Sequence, residues 1–410
     1  MPSFSRRRFL AASAAMAATP FLSRLLAADR KPDPANPIPA ANAAFGCDLY
    51  AKLRAERGNV FFSPFSIETA LAMTACGAKG NTLAQMQKVL HLPADADAAG
   101  SGFKSLLAAL NGDGKDADKR GYELRVANAL WGMKDYPWRR EFLKVTTANY
   151  GAGLVEVNFA DEPAARKQIN TWVEGQTNQK IKDLIPEGLL DSDTRMVLTN
   201  AVYFKGKWEQ EFDKKLTKDG PFACGDGSKK DVPLMHKTGE MWYAETDDLQ
   251  AVELGYKGNE TAMTVLLPKK ADGLAGVEQK LSADTLAAVA KGLRHEKVIL
   301  TLPRFKAETK YKLNAPLIAL GMKDAFGGGA DFTGMHSSME KLYIAFVLHK
   351  AFVDVNEEGT EAAAATAVGV KREAARIETP KVFRADRPFL FVIRHTPTNT
   401  VLFAGRFEKP

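Results

Sequence analysis

The segment that most constrains the fold of this chain is Asn356–Val370, which follows a strand-like run, Ala345–Val355. After Asn356 come two acidic residues and a glycine, and nearly all side chains after Gly359 are small. Small side chains leave little apolar surface in water, so the segment can exist as an exposed loop. They also fit between two strands of a packed sheet without overpacking. The fold must therefore accommodate a segment that can lie outside or inside a sheet.

Strand periodicity divides this segment into two faces, because successive side chains of a strand point to opposite sides. The first face holds Thr360, Ala362, Ala364, Thr366 and Val368. The second face holds Glu361, Ala363, Ala365 and Ala367. Since Glu361 lies on the second face, the first face could enter a core at little desolvation cost. The alternative is a helix over Glu361–Ala367, because Ala and Glu are strong helix formers. The segment alone does not decide between them.

Motifs elsewhere in the chain favour the strand. In chain order they are Gly58–Met73, Leu198–Trp208, Met263–Pro268, Leu302–Phe305, Leu320–Phe326, Ala330–Phe332, Arg384–Phe391 and Leu402–Phe407. Their order resembles the serpins, a family of suicide protease inhibitors, from roughly Asn42 to Pro410. The segment Asn356–Val370 resembles the hinge of the serpin reactive-centre loop, whose insertion is a standard example of strand addition. The resemblance implies an α+β serpin fold: a large, mostly antiparallel sheet with further sheets, about eight or nine helices and an exposed reactive-centre loop.

The resemblance also implies site residues, none of them catalytic. The hinge comprises Glu357, Glu358, Gly359, Thr360, Glu361, Ala362, Ala363, Ala364, Ala365 and Thr366. The breach, where the strands part at one end of the sheet, comprises Trp208, Arg304 and Glu357. The shutter, beneath the sheet, comprises Ser63, Ser66, Asn200 and His349. Without the resemblance, the latter two groups would be interpreted as an exposed ion pair, a helix cap and a core histidine.

The reactive bond is predicted at Glu373–Ala374 when residues are counted from Glu357 as in the family, or at Arg372–Glu373 one residue earlier. The reactive-centre loop then spans about 357–380. The implied partner is a target serine protease, trypsin-like for an arginine bait and glutamyl-specific for a glutamate bait. Inhibition of cysteine proteases is a further alternative. The inhibitor is expected to act as a monomer.

The N-terminal region is predicted to lie outside the fold. Ser5–Leu10 matches a twin-arginine export signal, and the apolar run after it is too short and interrupted for a membrane helix. We expect a signal peptide at 1–28, a Pro-rich linker at 29–40 and one serpin domain at 41–410. Export by this route would place the protein in the periplasm or outside the cell. No membrane contact is expected after the signal is removed.

Charge and cysteines limit the remaining function classes. The signal contains four arginines and no acid, so its removal lowers the net charge from +7 to +3, too little to indicate nucleic acid binding. The three cysteines, Cys47, Cys76 and Cys224, are expected to be buried thiols, with a Cys47–Cys76 disulfide as the alternative. No nucleophile elbow, metal motif or phosphate loop is present, so neither an enzyme nor a cofactor or metal is expected. A non-inhibitory serpin, acting as a binding protein or chaperone, is the main alternative.

Ser, Asn or Thr residues near helix starts and apolar, β-rich runs predict the secondary structure around these motifs. Helices are predicted at Ser66–Cys76, Thr82–Leu90, Phe103–Leu110 and Ala164–Thr177. Strands are predicted at Arg195–Phe204, Gln250–Leu254, Ala262–Leu267, Val298–Leu302, Tyr343–Val355 and Phe389–His395.

Overall fold

The computed structural model describes residues 36–111, 121–151, 153–360 and 379–410. The α-helices of these ranges are α1 (Ile38–Leu53), α2 (Pro64–Ala75), α3 (Gly80–Val89), α4 (Ala96–Asn111), α5 (Arg140–Tyr150), α6 (Glu162–Gln176), α7 (Leu274–Gln279), α8 (Ala283–Gly292) and α9 (Asn314–Leu320). Each helix predicted from the sequence lies on one of them. Ile38, within the range predicted to be a linker, is already a fully buried residue of α1.

The strands form two sheets. The six-stranded sheet has the order β10 (Phe305–Lys312), β11 (Phe346–Asn356), β12 (Gly359–Thr360), β4 (Met196–Lys207), β2 (Tyr122–Met133) and β3 (Leu154–Val157). The nine-stranded sheet has the order β1 (Val60–Phe62), β15 (Thr400–Phe407), β14 (Phe389–His395), β8 (Thr261–Pro268), β7 (Leu249–Gly255), β6 (Lys229–Glu245), β9 (Arg294–Pro303) and β13 (Lys381–Arg384), with β5 (Lys218–Ala223) paired to β6. Most neighbouring strands are antiparallel. The predicted α+β class is therefore confirmed.

Helix α2 lies between the two sheets and determines what lies beneath the six-stranded one. Ser63 caps it, because its hydroxyl oxygen accepts a hydrogen bond from the Ser66 amide at 3.2 Å, and Pro64 occupies the first helical position. All of its residues are buried, and it packs against β2, β4 and β15. The polar residues of this helix are therefore shielded from water.

Strands β11 and β4 are neighbours along part of their length and separate at one end. They pair in parallel from Phe346 opposite Val197 to Phe352 opposite Tyr203. Farther along, β12 lies between them: it is antiparallel to both, and Thr360 pairs with Val355 of β11. We call the space between β11 and β4 beyond Phe352 the opening, and β12 fills its outer end.

Glu68 is a buried carboxyl group of α2. The residue has 0% exposure, and neither carboxyl oxygen has a hydrogen-bond partner in the described part of the chain. Burial raises the pKa of Glu68 well above its usual value of 4.5. The folded protein therefore retains a proton here that the unfolded chain releases.

We expect Glu68→Gln to stabilise the protein at alkaline pH and to change its stability little near pH 4. Because the folded pKa is raised, the stability of the native protein falls as pH rises above the unfolded pKa, by up to about 1.4 kcal/mol per pH unit. Glutamine has no such dependence. Urea unfolding midpoints of both proteins between about pH 4 and pH 8 measure this difference, with the exposed Glu187→Gln as control. If the unfolding midpoints of Glu68→Gln and Glu187→Gln changed with pH in the same way, the prediction would be contradicted.

Candidate functional site

The turn Asn356–Glu358 reverses the chain between β11 and β12. Its three carbonyl oxygens accept hydrogen bonds from the segment after β4. Trp208 Nε1 donates to Asn356 at 2.9 Å, the Phe212 amide to Glu357 at 2.8 Å and the Trp208 amide to Glu358 at 2.9 Å. Within the turn, the Glu358 amide donates to Asn356 Oδ1 at 3.0 Å. The carbonyl group of each turn residue is therefore hydrogen-bonded to the segment that follows β4.

Gly359 passes too close to β4 for a side chain. Its φ is 152°, and a Cβ at this position would lie 2.0 Å from the carbonyl oxygen of Gly206 and 2.7 Å from the Cα of Lys207. Both neighbours are backbone atoms of a central strand and cannot move aside. A glycine is therefore required where the hinge enters the sheet.

Thr360 is inside the sheet, with 0% exposure. Its Oγ1 lies 2.8 Å from the hydroxyl of Tyr256, which is also fully buried. The Tyr256 ring stacks on Trp208, with ring centroids 4.6 Å apart. Burial raises the pKa of Tyr256, so its hydroxyl remains protonated and available for the bond. The first hinge side chain of the predicted inward face thus has a polar partner in the core.

Glu357 is buried, with 3% exposure, and has two partners. The Thr217 hydroxyl donates to Oε1 at 2.7 Å, and Arg304 Nε lies 3.4 Å from Oε2. Trp208 contacts the same turn through Asn356. The structure thus brings together the three residues assigned to the breach. Thr217, which the sequence analysis did not identify, is the closer partner of Glu357.

Glu358 is also buried, with 5% exposure, and its carboxylate pairs with Lys214 through Oε1. Its other oxygen, Oε2, is buried without a hydrogen-bond partner in the described ranges. Lys214 lies in a short 3-10 helix, Lys214–Leu216, within the connection from β4 to β5. The connection that binds the backbone of the turn therefore also supplies a cation for its second carboxylate.

Beneath the sheet, Ser63 and His349 are in contact. The Ser63 amide donates to His349 Nε2 at 3.1 Å, so the neutral ring carries its proton on Nδ1, which has no partner in the described residues. Burial lowers the pKa of His349 to about 3. The Ser63 hydroxyl donates to the Leu402 carbonyl at 2.6 Å. This histidine is therefore uncharged and links α2 to β11.

Asn200 and Ser66 are not hydrogen-bonded to each other through the Asn200 side chain. Asn128 of β2 lies between them, because the Ser66 hydroxyl donates to Asn128 Oδ1 at 2.6 Å and Asn128 Nδ2 donates to the Ser66 carbonyl at 2.9 Å. Asn200 pairs in register with Asn128 and with His349. Its side-chain oxygen and nitrogen are buried without partners in the described part of the protein. Asn128 is thus a further member of the cluster, and the sequence analysis did not identify it.

Residues 361–378 of the predicted loop lie outside the described residues. This applies to the hinge residues Glu361–Thr366, to both candidate reactive bonds between Arg372 and Ala374, and to the predicted signal peptide. The thiols of Cys47, Cys76 and Cys224 are all free, with Cys76 half-buried and the others buried, so the alternative disulfide is absent. The described ranges contain neither a cluster of metal-binding side chains nor a helix able to cross a membrane.

Comparison with known proteins identifies the family. The family model described as "Serpin (serine protease inhibitor)" matches residues 40–410, and the chain belongs to this family. An uncharacterised serpin-like protein of Thermococcus kodakarensis is 46% identical, with 91% of this chain and 86% of the relative covered. The leukocyte elastase inhibitor of Sus scrofa is 44% identical, covering 91% of this chain and 99% of the relative. The crystal structure of human thyroxine-binding globulin is similar, with a TM-score of 0.83 at 29% identity, covering 92% of this chain and 99% of that chain. The predicted family and fold are confirmed.

We expect Tyr256→Phe to lower the free energy of unfolding by roughly 1–3 kcal/mol, because it leaves the buried Thr360 hydroxyl without a partner while the ring can still stack on Trp208. Unfolding in urea, followed by tryptophan fluorescence, measures the loss. Thr360→Val provides the second single variant of a double-mutant cycle. The double variant should be more stable than the sum of the two losses predicts. Strict additivity would mean that the two hydroxyls do not interact.

Proposed function

We propose that this protein is a suicide-substrate inhibitor of serine endopeptidases, which traps the acyl-enzyme by inserting its cleaved reactive-centre loop into the six-stranded sheet. The observation that carries the proposal is the position of β12. Gly359 and Thr360 already pair with both β11 and β4 at the outer end of the opening. A strand that continued from Thr360 would enter the space between these two strands.

The continuing strand would bring small side chains into the core. Thr360 points toward Tyr256 inside the protein. With the strand period of two, Ala362, Ala364, Thr366 and Val368 would follow it on the inward face. Three of these are Ala or Val, and none is charged. The composition of residues 360–370, which lack proline and aromatic residues, favours inhibition over the non-inhibitory alternative.

Insertion would replace one ladder of hydrogen bonds by two. The parallel ladder from Phe346 to Phe352 with Val197 to Tyr203 must part, and the new strand then pairs on both of its sides. About ten additional backbone bonds, each worth roughly 0.5–1.5 kcal/mol net, give on the order of 10 kcal/mol together with the buried apolar surface. The intact protein would then be held above its most stable state by a kinetic barrier.

The shutter would lie where this parallel ladder must open. His349 of β11 and Asn200 of β4 form one of its pairs, and the side-chain amide of Asn200 has no partner in the described ranges. Parting the strands at this point therefore sacrifices no side-chain hydrogen bond of Asn200. A cleaved loop reaching this level could form one with Asn200. This is the role that we propose for the cluster.

The target would be a trypsin-like protease if the cleaved bond is Arg372–Glu373 and a glutamyl-specific protease if it is Glu373–Ala374. The acylated protease would be carried along as the hinge inserts, which distorts its oxyanion hole and stalls deacylation. We also propose that the inhibitor is a monomer and that the twin-arginine signal exports it to the periplasm or beyond.

The wild-type protein is expected to form an SDS-stable band at the summed mass of inhibitor and protease with a member of a serine protease panel. Thr360→Arg should lose this band while its loop is still cleaved, because an unpaired buried charge blocks the first step of insertion. Thr360→Ser, which keeps the hydroxyl, is the matched control and should retain the band. Cleavage of the wild-type loop by every protease without a covalent band would contradict the proposal.

A single cut within Lys371–Ala374 is expected to raise the melting temperature by roughly 20 °C or more, since about 1 kcal/mol corresponds to a few degrees in a chain of this size. Nicking an ordinary loop does not stabilise a protein, whereas here the cut would free a strand to join the sheet. Calorimetry of intact and cleaved protein, with the cut mapped by mass spectrometry, measures the change. An unchanged or lower melting temperature after a verified cut would exclude insertion.

A further inference from the structure

The two acidic residues of the turn are buried equally but are not equally supported. Glu357 accepts a hydrogen bond from Thr217 and pairs with Arg304, so both of its oxygens have a partner. Glu358 has Lys214 at one oxygen and no partner in the described ranges at the other. The side chain of Glu358 is 6% exposed and that of Lys214 is 58% exposed. A buried carboxylate thus depends on one cation that reaches it from the surface.

Lys214 also connects the turn to a segment that already binds the turn's backbone. The segment from Trp208 to Thr217 supplies two backbone donors, an indole donor and a hydroxyl donor to the turn. Among the described contacts, Lys214 is the only charged side chain of this segment that pairs with Glu358. An exposed ion pair is usually weak, but removing one partner of a buried charge leaves that charge uncompensated. Removal of the Lys214 charge should therefore destabilise the turn, because the Glu358 carboxylate can reach water only if the turn moves.

We propose that Lys214 is a positioning residue that holds the turn Asn356–Glu358 as the fixed end from which the hinge enters the sheet. The inference rests on the proposed function, because it assigns a role in loop insertion. The next hinge residues must align with β11 and β4 beyond Thr360, and they do so only if the turn keeps Gly359 and Thr360 in register. A turn that loosens loses that register and slows insertion.

The predicted reactive bond is well separated from Lys214 along the chain. Glu373 follows Thr360 by 13 residues. Loss of the lysine should therefore leave the encounter with the protease and the acylation step unchanged. Slower insertion gives deacylation more time, so more inhibitor molecules are cleaved for each protease molecule trapped. Loss of Lys214 should therefore raise the stoichiometry of inhibition and leave the association rate unaltered.

The test compares Lys214→Met with Lys215→Met. Lys215 is the adjacent residue, and its exposed side chain makes no ion pair with the described part of the chain. Two quantities are measured for each variant: the stoichiometry of inhibition with a protease that the wild type traps, and hydrogen exchange of the peptide containing residues 356–360. We expect Lys214→Met to raise the stoichiometry at least threefold, to keep the association rate within twofold and to accelerate exchange. Lys215→Met should change none of them.

Two further variants test whether charge is the cause. Lys214→Arg keeps a cation within reach of Glu358 and should restore both the stoichiometry and the slow exchange. Lys214→Met combined with Glu358→Gln removes both charges and should recover most of the loss, because no uncompensated carboxylate remains. Recovery in the double variant, which still carries the methionine, would not be expected if methionine merely disturbed the packing of the 3-10 helix.

The outcomes separate this inference from the proposed function. If the wild type traps no protease, the proposed function fails, and hydrogen exchange alone decides whether Lys214 holds the turn. If the wild type traps a protease and Lys214→Met has the same stoichiometry as Lys215→Met, the inference is wrong while the proposed function stands. Exchange that is equally slow in both methionine variants would likewise overturn the positioning role.

Discussion

The pairing of Gly359 and Thr360 with strands on both sides is the constraint on which the rest of the site depends. These residues lie between β11 and β4, two strands that are direct parallel neighbours only a few residues farther along. A sheet can hold a short strand at this position only if the backbone of that strand is hydrogen-bonded on both edges and its first side chains fit the core. The absence of a side chain on Gly359 meets the steric requirement at β4. The hydroxyl of Thr360, paired with Tyr256, meets the polar one.

The turn that precedes β12 is held by a different kind of interaction. Asn356–Glu358 presents its carbonyl groups to Trp208 and Phe212, and its two carboxylates are buried against cations from two different segments of the chain. Buried carboxylates destabilise a protein unless they are paired, so the acidic pair requires Arg304 and Lys214 to be in place. Hydrogen bonds therefore determine the path of the turn backbone, and the two ion pairs determine which segments must remain next to the turn.

The sheet closes over a layer of polar groups that are incompletely satisfied. His349 has one ring nitrogen without a partner in the described ranges, and both polar atoms of the Asn200 side chain lack one. Glu68 lies in the same helix as Ser66, with a carboxyl group that burial keeps protonated. Unsatisfied buried groups each cost stability. Because Asn200 makes no side-chain hydrogen bond in the described ranges, the strand separation that we propose would break none of its side-chain contacts of this kind.

Apolar, β-rich runs and helix-start residues predicted several elements that are almost continuously buried. The predicted strands at Arg195–Phe204 and Phe389–His395 lie on β4 and β14, and the predicted helix at Ser66–Cys76 lies on α2, where Ser63 and Pro64 provide a clear start. The strand β2 was not predicted, although it forms a long ladder with β4. Its partner is far away in the sequence, so the burial of β2 is decided by tertiary packing and not by its own pattern.

The sequence by itself determined the family, the α+β class and the unusual composition of the hinge, because motif order and small side chains can be read directly from the chain. Tertiary structure alone decided how far the hinge has entered the sheet and what holds it there. Tyr256 is separated from Thr360 by 104 residues, and Lys214 from Glu358 by 144. No local pattern marks either partner, since each is an ordinary residue of its own segment. They become part of the site because the packing of the two sheets brings the residue after β7 and the connection after β4 to the same opening. There a buried hydroxyl and a buried carboxylate require partners.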